Sequence, residues 1–271
     1  MIRLGHIDYS NCVPAHAMLL ADPPPDIELV RGVPADLNRA LAAGAIDAAP
    51  CSSIEFARHS AEYGVLPGLA IGSDGPVRSI ILDAPGPLTG LDGADIAIPT
   101  ASATSVVLLR ALLELRAGVR PSYSWYDQSA GSDPIAAGAA AALRIGDAAL
   151  RHAVPAGRTA WDLGAEWTAW TGLPFAFAIW QVGPDLPDPG IRRLANLLHQ
   201  SRTWFAARQP DLARQYGPVY GLAPERLLRY WASLRFDLDA RMQQGLLHFY
   251  DLAARLGEAP PTTSLKILDV A

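Results

Sequence analysis

The sequence predicts a two-lobed α/β protein with helix-covered strands and a ligand cleft between the lobes. Three observations predict it. Short apolar runs of strand length alternate with helical segments from the N-terminus. The same order begins again near Gly93. Two apolar, β-like runs, Val77 to Leu82 and Phe175 to Val182, stand where the chain could cross from one lobe to the other and back.

Taken in order, Ile2 to Ile7 reads as a buried strand, Asp8 to Asn11 as a polar turn, and Pro14 as the opening of an apolar helix to Leu20. Ile27 to Val30 is a second strand, and Pro34 to Ala43 a helix stopped by Gly44. Ile46 to Ala49 is the next strand, with Ser52 and Ser53 placed to cap a helix from Ile54 to Tyr63. This β-α-β-α-β-α order favours parallel strands covered by helices. The second lobe opens with Ile96 to Ile98, a hydroxyl-rich turn from Thr100 to Ser105, and an apolar helix from Val106 to Leu115. Ala136-Ala137-Gly138 followed by Ala139 to Leu143 repeats the pattern of Ala42-Ala43-Gly44 followed by Ala45 to Ala49. Ile191 to Arg208, Pro224 to Leu234 and Leu238 to Leu256 have the i, i+3, i+4 apolar spacing of helices, and are expected to pack back on the first lobe.

Composition narrows the function. The chain has 271 residues, 50% of them hydrophobic and 18% charged, which suits a folded core and not disorder. A net charge of −5 argues against nucleic acid as a partner. No apolar run approaches the roughly 20 residues of a membrane span, and residues 1–16 carry no secretory pattern, so a cytoplasmic protein is expected. Lys266 is the only lysine, which leaves no candidate for Schiff-base chemistry. Cys12 and Cys51 lack metal-ligand spacing, and the six histidines form neither HxxxH nor HExxH, so no metal is expected. Phosphate-binding and dinucleotide-binding glycine loops and the nucleophile elbow are likewise absent. Gly72 to Gly75 reads as a turn, and Trp161, Trp167, Trp170, Phe175, Phe177 and Trp180 read as core and hinge packing.

Ligands of open α/β sheets bind beyond the carboxyl ends of the strands, so the loops there carry the functional reading. They hold Ser10 and Asn11, Ser52 and Ser53, then Thr100, Ser102, Thr104 and Ser105, and finally Gly146 and Asp147. Any one such group is an ordinary helix cap. Four of them facing one another across a cleft form a site where neutral donors and helix N-termini could hold a carboxylate without lysine.

These loops bring out a resemblance. Asp8-Tyr9-Ser10-Asn11, Ala49 to Phe56, Ser73 to Ser79, Thr100 with Ser102 to Ser105, Ile145 to Leu150 and Leu173 to Trp180 together resemble the chorismate dehydratase family of the futalosine route to menaquinone, nearly end to end. Cys12 and Cys51 depart from it, standing where other small residues would be expected. The resemblance implies a type II periplasmic-binding-protein-like fold with mixed sheets, divided into a first lobe over 1–82, a second over 83–176, and a return crossing with C-terminal helices over 177–271. It implies a lyase that removes water from chorismate, a small dicarboxylate, to give 3-[(1-carboxyvinyl)oxy]benzoate, with no cofactor. It places Asn11 and Asp147 as catalytic candidates. Ser10, Ser52, Ser53, Gly75, Val77, Ser79, Thr100, Ser102, Thr104, Ser105 and Gly146 are the substrate-binding candidates. The alternatives are a 1,4-dihydroxy-6-naphthoate synthase-like enzyme of the same pathway and a non-catalytic carboxylate-binding protein. The proton acceptor is either Asp147 or a carboxylate of the substrate.

Overall fold

Ile2–Ile7 (β1) is buried at every position but Arg3, so it can only lie inside a sheet covered on both faces. In the computed structural model, which describes residues 1–270, β1 pairs in parallel with Ile27–Gly32 (β2) and Ala48–Ser52 (β3). Phe175–Val182 (β10) returns to this sheet, antiparallel to β3 and to Gly64–Ser73 (β4), giving the order β2-β1-β3-β10-β4. The second sheet has the order β7-β6-β8-β5-β9, from Ser122–Tyr126 (β7), Asp95–Pro99 (β6), Ala141–Ile145 (β8), Ile80–Ala84 (β5) and Thr159–Asp162 (β9). In it β6 is parallel to β7 and β8, and β5 is antiparallel to β8 and β9. Both sheets are therefore mixed.

Helices Val13–Ala21 (α1), Pro34–Ala42 (α2) and Ser53–Arg58 (α3) belong to the first lobe. Thr104–Arg110 (α4), Gly146–Arg151 (α5) and Leu163–Thr171 (α6) belong to the second. Asp188–Ala206 (α7), Gln209–Tyr220 (α8), Pro224–Ser233 (α9) and Ala240–Arg255 (α10) follow. Of these, α7 packs on α1, where the Met18 amide donates to Ser201 Oγ at 3.0 Å, and α10 packs on β10. Gly245 is required in α10, because a Cβ there would stand 2.1 Å from the Pro174 carbonyl oxygen.

Several expected boundaries move. The strand expected at Ile46 starts at Ala48, because the Asp47 carboxylate accepts from the Arg3 amide at 2.7 Å and its guanidinium at 2.5 Å. The helix expected to reach Tyr63 leaves helical geometry at His59 so that the chain can enter β4. The helix expected at Val106 starts at Thr104 and ends in a wider π-type turn over Ala111–Arg116. Residue 82, the expected end of the first lobe, falls inside β5, a strand of the second sheet; the chain changes sheets over 74–79, just before β5. Residue 176 falls inside β10 for the same reason, and the return runs over 172–174.

The two crossings are bonded to one helix. Asp162 caps α6 through the amides of Gly164 and Ala165, and also accepts from the amides of Val77 at 3.0 Å and Arg78 at 2.6 Å. The Gly75 amide donates to Thr168 Oγ1, which in turn donates to the Leu173 carbonyl, while Trp167 Nε1 donates to the Pro174 carbonyl. Held this way, Arg78 takes the left-handed backbone region at φ 66°, unusual for a side chain with a Cβ.

Candidate functional site

The carboxyl ends of β1, β3, β6 and β8 face one another across the lobe boundary, and a cavity of about 50 Å³ lies there. Asn11 and Ser52 line it from the first lobe, Ser79 from the crossing, and Ser102, Ser105 and Gly146 from the second lobe. These groups arrive already positioned. The Ser52 amide donates to Asn38 Oδ1 at 3.1 Å, and its carbonyl accepts from Gln181 Nε2 at 3.0 Å. Ser79 Oγ accepts from the Tyr230 hydroxyl at 2.9 Å, and Ser102 Oγ lies 3.0 Å from Ser105 Oγ. Asn11 Oδ1 is buried without a hydrogen-bond partner, a costly arrangement for a polar atom unless a ligand answers it. Ile7, Pro34, Ile71, Ile80, Ile145, Phe177 and Ala178 supply apolar walls, and no ionisable side chain but Tyr9 lines the space.

The other candidates lie outside this cavity. Thr104 Oγ1 accepts from the Ile54 amide at 3.2 Å and lies 3.4 Å from Ser53 Oγ, which donates to the Ala176 carbonyl at 2.8 Å. Thr104 and Ser53 therefore join α4 to α3 across the lobes. Gly75 and Val77 hold the crossing to α6 as described, Val77 being buried in the core. Thr100 is exposed on the rim of an outer groove of about 670 Å³.

Ser10 and Asp147 form a second contact between the lobes. The Ser10 amide donates to Asp147 Oδ2 at 3.0 Å and its hydroxyl to Oδ1, while the Ser10 carbonyl accepts from Trp231 Nε1 at 2.8 Å. Burial pushes the Asp147 carboxyl pKa above the usual range; the two Ser10 hydrogen bonds, and then the charge of Arg151, oppose that rise. Asp147 lines the outer groove and not the inner cavity. Tyr9 lines both, with its ring over Gly146, where a Cβ would lie 3.0 Å from the ring and φ is +59°. Gly146 is thus needed for conformation and for space. The Asp8-Tyr9-Ser10-Asn11 stretch contained the signal for Tyr9, since it occupies the same loop as two candidates, but nothing in the sequence marks the ring as the divider between groove and cavity.

A further cluster comes together that spacing did not predict. His6, Cys12 and His16 are buried, and one potential ligand atom from each lies within 4.8 Å of the others. Their proton arrangement follows from Trp180, whose Nε1 can only donate and lies 3.2 Å from His16 Nε2. The neutral His16 ring must then carry its proton on Nδ1, 3.0 Å from His6 Nδ1, which accepts it. His16 Nδ1 is left with no lone pair for a metal. His6 carries its own proton on Nε2, which has no partner. Burial lowers the pKa of His6 to about 4, with the charge of Arg31 adding to the effect, and burial lowers that of His16 well below the ordinary value. The Cys12 thiol is pushed up to about 12, chiefly by burial.

Two mixed α/β lobes, two crossings and a cavity between facing strand ends define a periplasmic-binding-protein-like fold with a small-molecule site. Solved structures agree. A protein from Archaeoglobus fulgidus superposes with a TM-score of 0.77 at 20% identity, covering 94% of this chain and 97% of that one. The alkanesulfonate-binding protein SsuA from Xanthomonas axonopodis pv. citri, bound to MOPS, does so at 0.65 and 17% identity, covering 96% and 94%. Residues 2–255 match the family model described as menaquinone biosynthesis, and the chain belongs to that family. It is 30% identical over 262 residues to a chorismate dehydratase of Thermus thermophilus, covering 91% of this chain and 93% of the relative. No helix among the described residues is long and apolar enough to cross a membrane.

Proposed function

We propose that this chain is a chorismate dehydratase, converting chorismate to 3-[(1-carboxyvinyl)oxy]benzoate and water in menaquinone biosynthesis. The observation that carries the reading is the chemistry of the inner cavity: hydroxyls from both lobes and one unanswered carboxamide oxygen, inside apolar walls. Family membership and the Thermus thermophilus relative supply the substrate.

Chorismate carries two carboxylates on a cyclohexadiene ring. The proton to be removed is on the ring carbon that bears the enolpyruvyl ether. That carbon is conjugated through a double bond to the ring carboxylate, so negative charge moves onto this carboxylate as the C–H bond breaks. Ser52, Ser79, Ser102 and Ser105 are donors placed for such charge, and one lost donor of this kind costs about 2.7–4 kcal/mol. The neighbouring C–O bond then breaks, the hydroxyl leaves as water with a proton, and the ring becomes aromatic. The step needs no redox partner.

The proton acceptor in this reading is the enolpyruvyl carboxylate of the substrate, which stands next to the reacting carbon and gains basicity once water is excluded. Two placements support this over Asp147. Asp147 is outside the cavity, and both its oxygens are occupied by Ser10. Asn11 instead positions the reacting carbons, its Oδ1 accepting from the departing hydroxyl, with Phe177 against the ring. Incubation of the purified protein with chorismate, followed by ultraviolet absorbance and mass, tests the proposal. A product lighter by one water is expected. Chorismate bound tightly and recovered unchanged would mean a carboxylate-binding protein on the same scaffold.

A further inference from the structure

Most arginines of this chain are neutralised. Arg3, Arg58, Arg110, Arg116 and Arg158, for example, each pair with a carboxylate. Of the arginines that enter no such pair among the described residues, three, Arg78, Arg226 and Arg229, line one cleft of about 520 Å³. His152 lines it with them, and no acidic side chain does, although the chain as a whole is acidic. Its walls come from three parts of the molecule: the crossing and β5 give Arg78 and Ile81, α5 of the second lobe ends at His152, and α9 gives Arg226 and Arg229.

The cleft is also connected to the cavity. Tyr230 lines it, and the same side chain donates its hydroxyl to Ser79. Arg78 precedes Ser79 directly and is held at φ 66° by Asp162. Arg226 already reaches from α9 to the Leu150 carbonyl of α5. Arginine side chains of one sign sharing a cleft repel, and a bound oxyanion removes that repulsion while meeting guanidinium groups in paired hydrogen bonds.

We propose that this cleft is a second ligand site, taking a small, multiply charged oxyanion of the phosphate or polycarboxylate kind, and that its occupancy favours the closed lobes. An anion held between α9 and the end of α5 touches groups that separate when the second lobe swings away, so it binds the closed arrangement more tightly. The His152 contact is shared, since His152 Nε2 also lies 2.9 Å from Asp83 Oδ2.

The binding is measured without chorismate, which keeps it separate from the catalytic reading. Inorganic pyrophosphate and citrate are titrated calorimetrically, each in turn, into the wild-type chain and into Arg78→Gln, Arg229→Gln and Arg208→Gln. Arg208 is an exposed control stacked on Trp204. Saturable one-to-one binding is expected, weakened about tenfold or more by Arg78→Gln and by Arg229→Gln and unchanged by Arg208→Gln. Binding of pyrophosphate alone identifies a phosphate ligand, and of citrate alone a polycarboxylate. No saturable binding of either anion, or an equal loss in the control, overturns the site. Small-angle scattering of the same samples reads the lobes. The anion that binds contracts the wild type and not Arg229→Gln, and an unchanged wild-type radius of gyration at saturation overturns the closure.

Discussion

Asp147 accepts two hydrogen bonds from Ser10, and this decides what its carboxylate can do in the reaction. Asp147→Asn keeps an oxygen for the Ser10 amide and removes the charge. With the substrate as proton acceptor, turnover falls by less than about tenfold, whereas loss of an enzyme base would cost about a hundredfold to ten-thousandfold. Asn11→Ala removes a positioning group, and turnover falls by about a hundredfold with a smaller change in binding. Steady-state kinetics of the two variants separate these cases, and a greater loss in Asp147→Asn reverses the assignment. The hydroxyls of Ser52, Ser102 and Ser105 were legible in the sequence because they cluster where a strand gives way to a helix: Ser52 ends β3, Ser102 precedes α4 and Ser105 is in its first turn. The pairing of Ser10 with Asp147 was not, since the two are 137 residues apart and a carboxylate after glycine looks like any helix start. His6, Cys12 and His16 escaped for a related reason: β1 and α1 have different periods, and only the fold turns all three inward.

At the scale of elements, two junctions carry measurable energy. The first is β1 with α1 and β10, joined through His6, His16 and Trp180. Both histidines have folded pKa values below the ordinary 6.5, so the unfolded chain binds protons that the folded chain refuses. Their contribution to stability is therefore full above about pH 6.5 and falls as the pH drops toward 4, by about 1.4 kcal/mol per pH unit for His6, with His16 acting in the same direction. Urea unfolding across this window checks it, and His6→Gln should flatten the slope. The second junction is α3 with α4. Thr104→Ala leaves the buried Ile54 amide unpaired and lowers stability by about 1–3 kcal/mol. Ser105→Ala removes the acceptor of the Ser102 hydroxyl, which can turn to the cavity, so it leaves no backbone amide unpaired and acts mainly on the KM for chorismate. Thermal unfolding beside kinetics distinguishes the two, and equal effects would mean that both are structural caps. The central strands β1, β6 and β10 and the long C-terminal helices were legible, being apolar over most of their length. The unexpected strands β4, β7 and β9 are all at sheet edges, with Pro67 and Gly68 in β4 and exposed serines in β7. β7 and β9 answer to one neighbour and to solvent, which weakens their pattern, whereas β4 is buried, interrupted by Pro67 and Gly68, and covered along its far edge by the backbone of Arg235, Phe236, Lys266 and Leu268.

At the scale of the whole molecule, the lobes are closed over the cavity. Ser10 meets Asp147, Ile54 meets Thr104, and the Ala35 amide donates to the Ala101 carbonyl at 3.3 Å. Arg226 also reaches Leu150, Arg110 of α4 pairs with Glu258, and Trp167 of α6 packs on Phe175 and Phe249, while α6 ties together the two crossings that would serve as the hinge. A dicarboxylate gripped from both sides adds differential stability to the closed state, so small-angle scattering should show a smaller radius of gyration with 3-[(1-carboxyvinyl)oxy]benzoate than without it. No change at saturation would contradict ligand-driven closure. Where the substrate lies is settled by a crystal structure with that product bound. The aromatic ring is expected in the inner cavity beside Phe177, with Asn11 Nδ2 within hydrogen-bond reach of its ether oxygen and its carboxylates on serine hydroxyls from both lobes. A product bound instead in the outer groove, with its carboxylates on Arg31, Arg39 or Arg151 and the inner cavity vacant, would contradict it.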